Sequence, residues 1–184
     1  MIHHNTIRIA CLLAGVLLLS GLAFADGGEV AVLGGGSIMS DTGEGTLTGP
    51  LFGASAGYGV TDQSHVFAEF SMVHQSTSVL GYSTTMNTYD FGGGLDHGFG
   101  SSKRAVPYVV FAAGLGHTAV STSSLSVSVS GNSLYVGAGG GMRIYIGDHW
   151  GVKPECRYQR YVLGTVPGTN EIVFTLGLFY GGRK

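Results

Sequence analysis

Charge is scarce in this chain: Asp, Glu, Lys and Arg together make up 11% of its 184 residues, and the net charge is −2. No cluster of Lys and Arg occurs anywhere, so a nucleic-acid surface, which must neutralise phosphates with many cations, is excluded. Cysteine is nearly missing as well. Cys11 lies in the N-terminal apolar run, and the rest of the chain keeps only Cys156, so no internal disulfide forms in the mature protein. Long hydrophobic runs are absent with one exception, Ile9 to Leu22, which falls short of the about 20 apolar residues a spanning helix needs. Arg8 precedes this run and Ala23-Phe24-Ala25 follows it, the pattern of an export signal cleaved after Ala25. Cys11 stands at the start of the run and not at its cleavage end, which argues against a lipidated N-terminus. Residues 26–184 then make one domain of ordinary size.

Glycine, by contrast, is abundant, at 33 of 184 residues. Each glycine costs about 1 kcal/mol relative to alanine inside a helix, so a strongly helical fold is disfavoured. Disorder is disfavoured too, because hydrophobic residues reach 44%. Period-two alternation marks eight segments, with bounds near 29–37, 51–60, 64–74, 86–98, 105–119, 132–146, 150–162 and 171–181. Most reach the about 9–11 residues that a tilted strand needs to cross a membrane. Their connections alternate: Thr61-Asp62-Gln63, Phe99 to Arg104 and Gly147-Asp148-His149 are short. Ile38 to Pro50, Gln75 to Thr85, Val120 to Gly131 and Leu163 to Asn170 are long. Tight inner turns and unconstrained outer loops produce this rhythm in an outer-membrane barrel. The expected fold is all-β, an eight-stranded antiparallel up-and-down transmembrane β-barrel.

The faces agree with that fold. Leu134, Val136, Ala138, Met142, Ile144 and Ile146 share one parity, as do Ile172, Phe174, Leu176, Leu178 and Tyr180, and this parity is expected to face lipid. Most strand glycines take the other parity, among them Gly53, Gly57, Gly92, Gly94, Gly114, Gly116, Gly137, Gly139, Gly141 and Gly177. A soluble lipocalin-like ligand carrier would turn the greasy face inward and leave these glycines unexplained. The lumen of eight strands is only wide enough for side chains to fill. Glu69, Asp90, Asp96, Arg143, Lys153, Glu155 and Arg157 share the inward parity, so four carboxylates and three cations are expected to pair as a polar plug. Trp150, Tyr58 and Tyr180 suit the inner interface and Phe52 and Tyr89 the outer one. Pro154 lacks a ladder donor and predicts a local bulge. Arg160 lies outward near the outer end, where it snorkels to headgroups or reaches lipopolysaccharide phosphates.

The stretch from Gly139 to Tyr158, with its glycine-rich strand, short turn and Trp150-Gly151-Val152-Lys153-Pro154-Glu155-Cys156-Arg157-Tyr158, resembles the penultimate hairpin of small outer-membrane β-barrel proteins, the eight-stranded outer-membrane protein A/X-like barrels. The resemblance implies a cell outer membrane location, insertion through the outer-membrane assembly machinery, and contact with lipopolysaccharide. It does not extend to the last residues: such proteins commonly end on an aromatic, whereas Phe179 and Tyr180 are followed here by Gly181-Gly182-Arg183-Lys184.

Catalytic chemistry finds little support. His74-Gln75-Ser76 resembles the His-x-Ser motif of barrel lipid A deacylases, but the acid that would orient the histidine is missing between Tyr82 and Tyr89. The remaining histidines are scattered without ligand spacing, which gives no metal site. The runs Gly34-Gly35-Gly36 and Gly92-Gly93-Gly94 open no helix, which gives no phosphate cradle or other cofactor site. Between Val120 and Ser130 serine alternates with Leu125, Val127 and Val129, suggesting a hairpin that projects past the membrane and offers an edge to a surface ligand. The sequence therefore reads as a monomeric, non-enzymatic barrel with a structural or surface-interaction role, adhesion or ligand recognition, carried by its outward loops. The alternatives are a lipid-A-modifying barrel and the soluble carrier.

Overall fold

A computed structural model describes residues 27–41, 45–79, 82–100, 104–122, 127–165 and 168–181. The export segment read at residues 1–25 lies outside the described residues. Eight strands follow in order: β1 (Gly28–Asp41), β2 (Gly45–Gly59), β3 (Ser64–Val79), β4 (Tyr82–Gly98), β5 (Ala105–Thr122), β6 (Val127–Tyr145), β7 (Trp150–Gly164) and β8 (Asn170–Gly181). Each pairs antiparallel with the next, and β8 returns to β1 from Glu29↔Gly181 to Ser40↔Asn170, which closes the barrel. Closure satisfies every strand within the membrane band, where no water replaces a missing partner.

The inner strand ends fall close to where the alternation places them, but the outer ends do not. β3 continues to Val79 past His74, β4 begins at Tyr82 and not Met86, and β5 and β6 stay paired out to Thr122↔Val127. Much of what read as four long loops is therefore ladder, and the projecting β5–β6 hairpin suggested between Val120 and Ser130 is present. The apolar alternation stops where lipid stops, whereas backbone pairing needs no apolar face, and Thr and Val in these extensions favour extended backbone.

Pro154 is also resolved differently from expectation. β6 and β7 hold one register on both sides of it, Gly141↔Glu155 and Ile144↔Val152, and the ladder merely lapses between them. The missing donor costs a rung and not a bulge. The irregularity in this pair lies further out, where Leu134↔Leu163 is followed by Tyr135↔Tyr161 and Val162 is the extra residue.

Burial confirms the two faces and inverts the soluble pattern. Phe91, Phe111 and Leu176 on the outward parity are 65%, 60% and 59% exposed, while Arg143 and Arg157 inside are 1% exposed. A soluble carrier cannot leave such a band in water, so that alternative falls. The inward glycines make room for aromatic side chains that the alternation alone did not single out. A Cβ on Gly92 would collide with the Tyr135 hydroxyl, and one on Gly114 would lie 2.7 Å from it. Tyr135, Tyr161 and Phe179 are fully buried in the lumen.

Candidate functional site

Two regions carry chemistry: the lumen, where the ionisable groups gather, and the outer rim, where the strands leave the apolar band. In the inner lumen Arg143 bridges two carboxylates, its Nε donating to Glu29 at 2.8 Å and its Nη2 to Asp96 at 2.6 Å. Lys153 donates to Glu29 at 3.3 Å, and His65 Nδ1 lies 3.3 Å from Asp96. In the middle Arg157 Nη2 donates to Glu69 at 2.9 Å and to Glu155 at 2.6 Å, and the Tyr108 hydroxyl donates to Glu155 at 2.7 Å. Arg143 also sits 4.8 Å over the Tyr108 ring. The expected polar plug is present, with all seven predicted charges facing in.

The plug is more acidic than the alternation indicated. Glu29 and Glu171 join it from the ends of β1 and β8, so six carboxylates face three Lys and Arg side chains. Glu29 opens β1 and Glu171 stands at the outer end of β8, so neither had neighbours of clear alternation on both sides. The charges of the inner layer balance, and the excess lies further out. There the Tyr161 oxygen is 3.1 Å from Glu171 and 3.3 Å from both oxygens of Asp90, and Ser37 donates to Glu171. No Lys or Arg among the described residues pairs with Asp90 or Glu171. One hydroxyl hydrogen cannot serve two carboxylates at once. Asp90→Asn supplies a second hydrogen and removes a charge, so it is expected to stabilise the barrel by about 1–2 kcal/mol. Asp96→Asn should do the reverse, because it breaks a buried ion pair with Arg143. Urea midpoints of the two variants measured in lipid vesicles check the opposite signs.

Above the outer acids, Met39, Met86, Tyr135 and Tyr161 pack together with Leu47 and Val120 and close the lumen with an apolar cap. Among the described residues no group of three or more His, Cys, Asp or Glu side chains is arranged to hold a metal ion.

On the outward face, aliphatic and aromatic residues give way to polar ones at one level. His74 on β3 donates from Nδ1 to Asn87 Oδ1 on β4 at 2.7 Å, and His117 on β5 donates to Asn132 Oδ1 on β6 at 2.8 Å. Asn oxygen only accepts, which places the hydrogen on Nδ1 in both rings. Arg160 is exposed nearby on β7 beside Asn170. His74 and Ser76 both face outward and Gln75 is buried, as a His-x-Ser strand requires. The histidine is oriented, however, by an amide and not by a carboxylate. The same pair recurs at His117–Asn132, where Ala119 occupies the position two residues on, so the arrangement does not depend on a serine.

Beyond this level the barrel opens into two leaves. The β2–β3 ladder ends at Leu51↔Val73, with Gly49 still against the His74 carbonyl, and the β6–β7 ladder ends at Ser133↔Gly164, one hydrogen bond short of the Thr165 contact with Asn132. β3, β4, β5 and β6 continue together as a four-stranded sheet, with Val79↔Tyr82, Thr84↔Thr122 and Thr122↔Val127 near its top. The Asn132 carbonyl still accepts from Thr165 N at 3.1 Å, and from Val127 to Ser130 β6 has no strand partner on its β7 side among the described residues.

A closed eight-stranded barrel, a greasy exterior and a plugged lumen are now established, and the sequence from residue 10 to 179 matches the model of the outer membrane protein beta-barrel domain. The chain belongs to that family. It resides in the outer membrane. Solved barrels share its fold. Neisserial surface protein A superposes with a TM-score of 0.73 at 16% identity, covering 84% of this chain and 97% of that one. The attachment invasion locus protein Ail of Yersinia pestis gives 0.57 at 18% identity over 84% and 98%. Ail has also been solved with the heparin analogue sucrose octasulfate, and that structure matches with a TM-score of 0.57 at 16% identity, over 83% and 97%. OprG of Pseudomonas aeruginosa gives 0.53 at 12% identity over 84% and 95%. No curated protein matches by sequence.

Proposed function

We propose that this outer-membrane barrel is a non-enzymatic surface-interaction protein that presents the β3–β6 sheet extension to an extended segment of a partner. The observation that carries this reading is the β6 edge at Val127–Ser130, which has no strand partner on its β7 side among the described residues and is held outside the membrane band by the paired β5. An edge of free amides and carbonyls accepts an added strand, with main-chain hydrogen bonds supplying affinity. About seven further residues at ~3.4 Å each carry the β5–β6 hairpin roughly 20 Å along the strand beyond Leu115 and Leu134. Recognition therefore belongs to the projecting β5–β6 hairpin that the alternation between Val120 and Ser130 suggested. The Ail complex with a heparin analogue supports a ligand-binding use of this barrel architecture. In the same reading the protein is exported through a signal cleaved after Ala25, inserted by the outer-membrane assembly machinery, and monomeric.

Gram-negative cells displaying the barrel, and cells displaying a variant with Val120–Ser130 replaced by Asn-Gly, would be compared for attachment to epithelial monolayers. Attachment is expected to fall about tenfold in the variant while its heat-dependent gel shift persists. Equal attachment by both, or none above cells lacking the barrel, would overturn the reading.

A further inference from the structure

The acids of the outer lumen are left without a cation, and other oxygens gather around them. Asp90 on β4 and Glu171 on β8 both reach the Tyr161 hydroxyl oxygen, at 3.3 and 3.1 Å. Arg157 does not relieve them, since its salt bridges go to Glu69 and Glu155. Both acids are buried, Glu171 completely. Two like charges this close in a closed lumen repel strongly and have lost their water.

Two amides point independently to a ligand. Gln75 on β3 is 1% exposed and Gln159 on β7 is 4% exposed, yet the side-chain oxygen of each has no hydrogen-bond partner among the described residues. The orientation of Gln75 follows from Ser37, which has one hydroxyl hydrogen and gives it to Glu171. Ser37 can then only accept from Gln75, whose Nε2 donates to it at 3.3 Å. The Gln75 oxygen is thereby left as an open acceptor beside the Ser37–Glu171 hydrogen bond. Gln159 stands directly across the β7–β8 ladder from Glu171, and both face inward. Side chains paired in this way start about 5 Å apart. Buried polar atoms without a partner are rare, and two acceptors beside two uncompensated carboxylates fit a cation.

We propose that the outer lumen binds one calcium ion, held by Asp90, Glu171 and the side-chain oxygens of Gln75 and Gln159, with the Ser37 and Tyr161 hydroxyls beside it. Every ligand is oxygen, which suits a hard cation and not zinc or copper. The amide and hydroxyl oxygens complete a set that carboxylates and histidines alone do not form among the described residues. A doubly positive ion matches the two carboxylates. Calcium accepts about six to eight oxygens in flexible geometry, whereas magnesium needs a near-ideal octahedron and gives up its water reluctantly. The cap of Met39, Met86, Tyr135 and Tyr161 closes the lumen above the acids, which disfavours a hydrated ion. Calcium there ties β3, β4, β7 and β8 together at one level. The inference is independent of the strand-edge reading, because it concerns the closed lumen and not the hairpin tips.

The test refolds the full barrel into phosphatidylcholine vesicles in calcium chloride, so that the ion is present before the cap closes. Free ion is removed on a chelating column, and atomic emission reads the calcium left per barrel. Wild type should retain about one calcium per barrel, and about tenfold less magnesium when magnesium chloride replaces calcium. Its urea midpoint should be higher after refolding in calcium than in EDTA. D90N/E171Q and Q75M/Q159M should each retain about tenfold less calcium, because each removes two of the ligands. Their midpoints should not respond to calcium. D90N alone should keep in EDTA the stability gain expected above and gain nothing further from calcium, which separates loss of the ion from loss of the fold. Unboiled gels establish that each variant is folded. Calcium no higher than in vesicles without barrel, equal retention of magnesium, or undiminished retention in folded D90N/E171Q and Q75M/Q159M barrels would overturn the proposal.

Discussion

Replacing Arg157 by Met is expected to destabilise the barrel by about 3–5 kcal/mol, the typical result of removing one partner from a buried ionic cluster. Its Nη2 serves Glu69 at 2.9 Å and Glu155 at 2.6 Å, and its Nε reaches Glu155 at 3.0 Å. Methionine would fill much of the volume but leave two carboxylates facing each other in a narrow lumen. Converting those partners at the same time, as R157M/E69Q/E155Q, should recover most of the loss, since a neutral, packed plug is often as stable as an ionic one. Urea titrations of vesicle-inserted barrels, followed by gel mobility without boiling, measure both effects. A single variant as stable as the wild type would mean that Arg157 is not the keystone of the middle layer.

Leu176→Arg should cost about 2–4 kcal/mol, because Leu176 lies midway along the outward row from Ile172 to Tyr180 and would place a cation near the bilayer midplane. Asn170→Arg, on the same face at the outer end of β8, should cost no more than about 1 kcal/mol, since charge is tolerated near the interface. The contrast is a depth gauge: if both substitutions cost the same, the apolar band has been placed at the wrong height. The measurement is again the urea midpoint in vesicles.

Strand identity and facing could be read from residue order because each depends only on which neighbours alternate. The row Leu134, Val136, Ala138 on β6 and the row Ile172, Phe174, Leu176 on β8 point to lipid as their parity required. The seven charges assigned inward follow for the same reason: once a face is lipid, a charge must take the other. Glu29 and Glu171 escaped because they sit at strand ends, where a short stretch of alternation supports either face. The candidate rim was legible only in fragments. His74 and Arg160 were seen singly, but His117 was grouped with scattered histidines, since nothing in the order of residues says that it stands opposite Asn132.

The chain by itself determined the fold class, the strand count, the lipid-facing parity and the need for small inward residues, because all of these follow from period-two alternation under a membrane's hydrophobic constraint. Tertiary structure alone decided how far the strands run beyond lipid, where β6 and β7 part, which acids share the Tyr161 hydroxyl, and that two histidine–asparagine pairs stand at one level. Those are matters of register between strands distant in sequence, and register is set by closure of the whole barrel and not by any local run of residues.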